Sequence, residues 1–102
     1  MTFTELINQT NPVLIGFYAE WCGPCKMMSP ILEELKSELG EQITIVKIDV
    51  DKNLSVATKF QVRGVPTLML FQSGKMLWRQ SGVVRKEDLI GIIKSRTELK
   101  KV

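Results

Sequence analysis

Hydrophobic positions along this chain come in two rhythms, one with the spacing of a helix and one dense enough for a buried strand. Phe3, Leu6 and Ile7 recur at helical spacing within Phe3–Gln9, a short amphipathic segment. Val13–Tyr18 is a dense apolar run entered through the turn signal Asn11-Pro12, and reads as a buried strand. From Gly23 to Leu39 the helical period returns, with Met28, Ile31, Leu32, Leu35 and Leu39 on one face. Pro30 falls inside this helix, where it removes a backbone donor and should kink it, and Gly40 supplies the C-terminal stop. Ile43–Ile48 is a β-branched run expected to form a strand covered on both faces. Asn53–Phe60 predicts a short helix with Asp51 or Asn53 as N-cap. Thr67–Phe71 is apolar throughout and predicts a central strand. Gln72-Ser73-Gly74-Lys75 is a hairpin turn after which Met76–Gly82 returns antiparallel. Lys86–Leu99 closes the chain as a helix that buries Leu89, Ile92 and Ile93, carries Gly91 and shows no obvious N-cap.

Strand, helix, strand, then a hairpin and a last helix predict an α/β fold: a mixed sheet with helices on both faces, whose first two long strands run parallel. With 102 residues and no repeats or linker, the expectation is a single domain over residues 1–102. Apolar residues at 44% and charged residues at 25% fit an ordinary globular protein and exclude a disordered one. The longest apolar run, Val13–Ala19, is far shorter than the roughly 20 residues of a membrane-spanning helix. The opening MTFTELINQT lacks the basic and apolar regions of a secretory signal, so a cytoplasmic protein is expected. A net charge of +3 includes a cluster at Lys94, Arg96, Lys100 and Lys101. With no recognition motif beside it, this cluster reads as a solvated helix face and tail, not a nucleic-acid site.

The chemistry lies in Cys22-Gly23-Pro24-Cys25, the C-x-x-C that holds both of the chain's cysteines. A zinc site needs four ligands, and the chain has no histidine and no third cysteine, so two chains would have to share one. A structural disulfide over so short a loop gains little entropy. Redox catalysis fits the local structure better. Cys22 follows a strand and starts a helix, where unpaired N–H groups and the dipole favour an anion. A thiolate is both nucleophile and leaving group in disulfide exchange. Cys25, one turn later, can attack a mixed disulfide, and Pro24 suits the first turn of a helix.

WCGPCK, residues 21–26, resembles the active site of the thioredoxin family. Three further segments resemble that family in order: Arg63-Gly64-Val65-Pro66-Thr67 its cis-proline loop, Phe71–Lys75 its hairpin, and Ser81-Gly82-Val83 the loop completing its substrate groove. The resemblance runs over essentially the whole chain after Pro12. It implies a thioredoxin fold with a mostly four-stranded mixed sheet, and reduction of protein disulfides by dithiol–disulfide exchange. Cys22 would attack and Cys25 would resolve. Trp21, Gly23, Pro24, Lys26, Lys47 and Pro66 would support the site, and Trp21, Val65, Pro66, Gly82 and Val83 would bind substrate. No bound cofactor is implied. The partners would be protein disulfides and a thioredoxin reductase as electron donor, with no nucleic acid or membrane, and the chain would be a monomer.

Two departures from the family stand out. The strand before WCGPCK usually carries a buried aspartate in thioredoxins, and here that position is Gly16. The aspartate is held to exchange the proton of the resolving cysteine, so Lys47 would lack its usual partner. The alternative this leaves open is a thioredoxin-fold binding module or subunit with weak turnover. The N-terminus is also short, so the family's first strand should be missing or reduced to Met1–Phe3. That would leave Ile43–Ile48 as a sheet edge and a candidate pairing surface.

Overall fold

The computed structural model describes residues 2–98. A five-residue helix, α1 (Phe3–Ile7), is held by a capping box: Glu5 N–H donates to Thr2 Oγ1 at 3.1 Å, and Thr2 N–H donates to Glu5 Oε1 at 3.2 Å. Then follow β1 (Val13–Tyr18), α2 (Gly23–Leu39), a 3-10 turn at Gly40–Gln42, β2 (Thr44–Asp49), α3 (Leu54–Lys59), β3 (Thr67–Gln72), β4 (Lys75–Ser81) and α4 (Lys86–Arg96). The sheet order is β2-β1-β3-β4, with β1 parallel to β2 and antiparallel to β3, and β3 antiparallel to β4. No helix among the described residues is long and apolar enough to cross a membrane.

Alternation along the central strands divides the core in two. Leu14 of β1 with Leu68 and Leu70 of β3 faces α2 and α4, packing on Leu32, Leu35, Leu89 and Ile93. Val13, Ile15 and Phe17 with Met69 and Phe71 face the other way, toward α1 and α3. There Phe3, Phe60 and Phe71 form an aromatic cluster with ring centroids 5.0–6.2 Å apart.

Several expectations shift in detail. β2 is a sheet edge among the described residues, as the short N-terminus implied; Ile45 and Ile48 pack on opposite core clusters, but the strand is only partly buried and Lys47 is exposed. Its β-branched run reflects strand preference rather than deep burial. No strand precedes α1 among the described residues. α2 runs through Pro30, which lies on its exposed side. Gly40 ends it with φ +58°, a conformation suited to glycine. Asn53 occupies the N-cap of α3, but its amide donates to the Asp49 carbonyl at 3.0 Å instead of capping. Arg85 stands at the N-cap of α4 without a side-chain cap, which is why no cap was legible there. α4 ends at Arg96 and leaves Ile92 half-buried; Leu99, Lys100 and Lys101 lie outside the described residues.

Strand direction gathers the chemistry. β1 and β2 run one way, β3 begins where they end, and β4 returns to the same place. Residues following Tyr18, Asp49 and Ser81, and those preceding Thr67, therefore meet at one end of the sheet.

Candidate active site

At that end Cys22 is the N-cap of α2 and Cys25 sits three residues on, within the first turn. The two form a disulfide with Cα atoms 5.4 Å apart, inside the usual range of about 4.4–6.8 Å. Both are nearly inaccessible, at 3% and 7% exposure. Cys25 N–H donates to Cys22 Sγ at 3.2 Å, the place a serine or aspartate oxygen takes in an ordinary cap. That donor and the helix dipole both favour negative charge on Cys22 sulfur once the bond is reduced. Gly23 and Pro24 are exposed in the first turn, where proline's missing N–H breaks no helical bond.

The loop before β3 closes over the pair. Cys22 Sγ lies 3.5 Å from the Val65 carbonyl oxygen. In the disulfide this is a contact; the thiol of the reduced state can donate to it. The Val65–Pro66 peptide is cis, and Pro66 is buried. Val65 packs with Tyr18 and Val50 against Ala19, Cys22 and Cys25, and its backbone N–H has no hydrogen-bond partner among the described residues. Thr67 holds this loop from beneath. Its buried hydroxyl donates to the Gly64 carbonyl at 2.6 Å, so Ser81 must supply the proton of the 3.1 Å contact between the two hydroxyls. Gly82 N–H donates to the Pro66 carbonyl at 2.9 Å, which fixes the third loop beside the second. Its φ of +95° is strained for any residue with a Cβ.

Two apolar side chains of the neighbouring loops are exposed: Trp21, next to Cys22 in the chain, at 73%, and Val83, next to Gly82, at 39%. Trp21 is held in place, because its Nε1 donates to Asp51 Oδ2 at 2.9 Å. Asp51 is itself set by Asp49, whose carboxylate accepts its backbone N–H at 2.9 Å. Sequence reasoning missed Asp51 as the anchor of Trp21, since the two are thirty residues apart and only the parallel β1·β2 pairing joins them.

Lys47 and Lys26 stand further from the mouth. Lys47 Nζ donates to Ser29 Oγ at 2.8 Å, a partner the sequence did not suggest. Lys26 is exposed on α2. Among the described residues no group of histidine, cysteine and carboxylate side chains could hold a metal.

A buried disulfide at a helix N-terminus, with a cis-proline loop against it, is what the resemblance implies. The thioredoxin family model matches residues 1–95. The chain belongs to the thioredoxin family. It is 48% identical over 89 residues to a thioredoxin-like protein of Synechocystis, covering 86% of this chain and 85% of that one. It is 46% identical over 88 residues to the bifunctional thioredoxin reductase/thioredoxin of Mycobacterium leprae, covering 86% of this chain but 19% of that protein. A solved mutant thioredoxin from Halobacterium salinarum superposes with a TM-score of 0.84 at 39% identity, covering 96% of this chain and 85% of that one. This thioredoxin-family chain is a thiol–disulfide oxidoreductase with a redox-active cysteine pair.

Proposed function

We propose that the reduced protein passes two electrons to disulfides of other proteins, with Cys22 as nucleophile and Cys25 as resolving thiol. The observation that carries the assignment is the Cys25 N–H bond to Cys22 Sγ at the N-terminus of α2. Only Cys22 has its sulfur at the cap, where the helix stabilises a thiolate; Cys25 lies three residues on, inside the first turn, and supplies the capping N–H. Cys22 thiolate attacks one sulfur of the substrate disulfide, and the other substrate sulfur leaves as a thiolate. Cys25 then loses its proton and attacks Cys22 Sγ, which forms the Cys22–Cys25 bond and releases the second substrate thiolate. Two electrons and the thiol protons pass to the substrate, and no bound cofactor is required.

The free N–H of Val65 and its carbonyl beside Cys22 offer an extended substrate segment backbone pairing next to the reacting sulfur. Trp21, Pro66, Gly82 and Val83 supply the apolar surface on either side. Lys47 acts as a positioning residue at the back of the site. The electron donor in this reading is a thioredoxin reductase, supported by the relative whose name joins reductase and thioredoxin. The protein works as a cytoplasmic monomer.

The test is turnover of insulin disulfides with dithiothreitol as donor. Cys22→Ser should abolish turnover, whereas Cys25→Ser should trap a covalent mixed disulfide visible by mass spectrometry. Turnover of the wild type no faster than dithiothreitol alone would sink the proposal and favour a binding module. Trapping by Cys22→Ser instead of Cys25→Ser would reverse the two roles.

A further inference from the structure

Behind the disulfide, on the face of the sheet covered by α2, lies a cavity of about 310 Å³. Its floor is a row across three strands, Lys47–Gly16–Leu68, paired in register and therefore directed to one face. Its roof is α2, through Cys25, Met28, Ser29 and Leu32. Gly16 leaves the middle of the row without a side chain.

The walls sort by polarity. Gly16, Leu32, Leu68 and Met28 are buried and apolar, and the exposed Glu20, Lys26 and Lys47 stand at the rim. Glu20 pairs with Lys52 at 3.5 Å. Neither Lys26 nor Lys47 has an ion pair among the described residues, and Lys47 Nζ spends one bond on Ser29 Oγ at 2.8 Å. An ammonium has three donors, so the Lys47–Ser29 pair has capacity for an acceptor at the edge of an apolar hole.

We propose that this cavity is a binding site for small aliphatic monocarboxylates, with the carboxylate on Lys47 Nζ and Ser29 Oγ and a short alkyl chain over Gly16. The volume is at the low end of small-ligand pockets, about 300–1,000 Å³, which suits a short chain rather than a drug-sized molecule. A neutral alcohol would forgo the lysine. A dicarboxylate would drive its second charge into the wall of Leu32 and Leu68, and an inorganic anion would leave that wall uncovered. The site needs no thiol chemistry, since Cys25 serves only as part of the roof.

The experiment is an NMR titration of the ¹⁵N-labelled oxidised protein with sodium pentanoate at constant ionic strength. The amides of Gly16, Leu32, Lys47 and Leu68 should shift along one saturating curve in the millimolar range. Lys47→Gln should weaken binding about tenfold, as expected for loss of a charged hydrogen bond, and Lys75→Gln, in the β3–β4 hairpin away from the cavity, should leave it unchanged. Ser29→Ala, which removes the second anchor without touching the sheet, should weaken binding severalfold and tests the site even if Lys47→Gln fails to fold. Shifts that stay linear in pentanoate, that centre on Lys94 and Arg96, or that survive both variants would overturn the proposal. So would 1-pentanol binding as tightly as pentanoate.

Discussion

Replacing Gly16 with aspartate tests what the cavity behind Cys25 withholds from the reaction. A Cβ at this position would come 3.1 Å from Leu32 Cδ1 and 3.6 Å from Leu68 Cδ2. The tighter contact is with the far end of a flexible leucine, which needs to move only slightly, so the steric cost is near the low end of overpacking, about 1 kcal/mol. Relief of a strand-interior glycine offsets roughly 0.5–1 kcal/mol of that. The carboxylate would project into the cavity beside Lys47, its register partner, which limits the cost of placing a charge there. Stability should therefore change by no more than about 2 kcal/mol. The gain is a proton acceptor on the Cys25 side of the disulfide. General acid–base help is typically worth about 10²–10⁴-fold, and a cavity open to water, with Lys47 holding the carboxylate ionised, points to about 10²-fold. The assay is stopped-flow reduction of insulin by the prereduced protein near neutral pH, under single-turnover conditions that report the resolving step. Gly16→Asn fills the same space without a proton acceptor and should react at the wild-type rate. If Gly16→Asp is folded and no faster than Gly16→Asn, the site has another proton route and the reasoning fails.

Three further substitutions probe separate parts of the molecule. Gly91→Ala on the exposed side of α4, where a Cβ meets nothing within 4 Å, should stabilise by about 0.5–1 kcal/mol and raise the melting temperature by roughly 4 °C, read by calorimetry. Lys36→Met removes both hydrogen bonds from Nζ, at 2.8 Å to the Gly40 carbonyl and 2.6 Å to that of Ile43, which tie off the end of α2. Discounted for exposure, their loss should cost about 1 kcal/mol and lower the urea midpoint by roughly 0.5 M. Asp51→Ala frees Trp21, so tryptophan anisotropy should fall and KM for a protein disulfide should rise about fivefold, with kcat little changed.

Much of the fold was legible because the hydrophobic periods are clean: the runs at 13–18 and 67–71 are the strands buried on both faces, and the 3.6-residue period from Gly23 to Leu39 is one helix. The depth of burial of β2 was overestimated because Ile, Val and Thr signal strand at any depth, whereas its place at the edge followed from the short N-terminus. The cysteines were readable from spacing alone. Their supports were not: Asp51 under Trp21 and Ser29 beside Lys47 are polar residues of ordinary context, and only folding brings each to its partner. Thr67 was visible as part of a strand but not as the clasp between Gly64 and Ser81.

The geometry also separates two properties that a small redox protein must set independently. In the proposed reaction substrate would meet the loop end of the sheet, where the loops carrying Trp21, Val65, Gly82 and Val83 gather. The cavity floored by Lys47–Gly16–Leu68 borders Cys25 from behind, under α2 and away from those loops, so a proton acceptor placed there would act on Cys25 alone. A change at Gly16 or Lys47 should therefore move kcat with little effect on KM, whereas a change at Asp51 or Val83 should do the reverse. On this division, a side chain at Gly16 should change the rate of resolution without changing which disulfides the mouth of the site accepts.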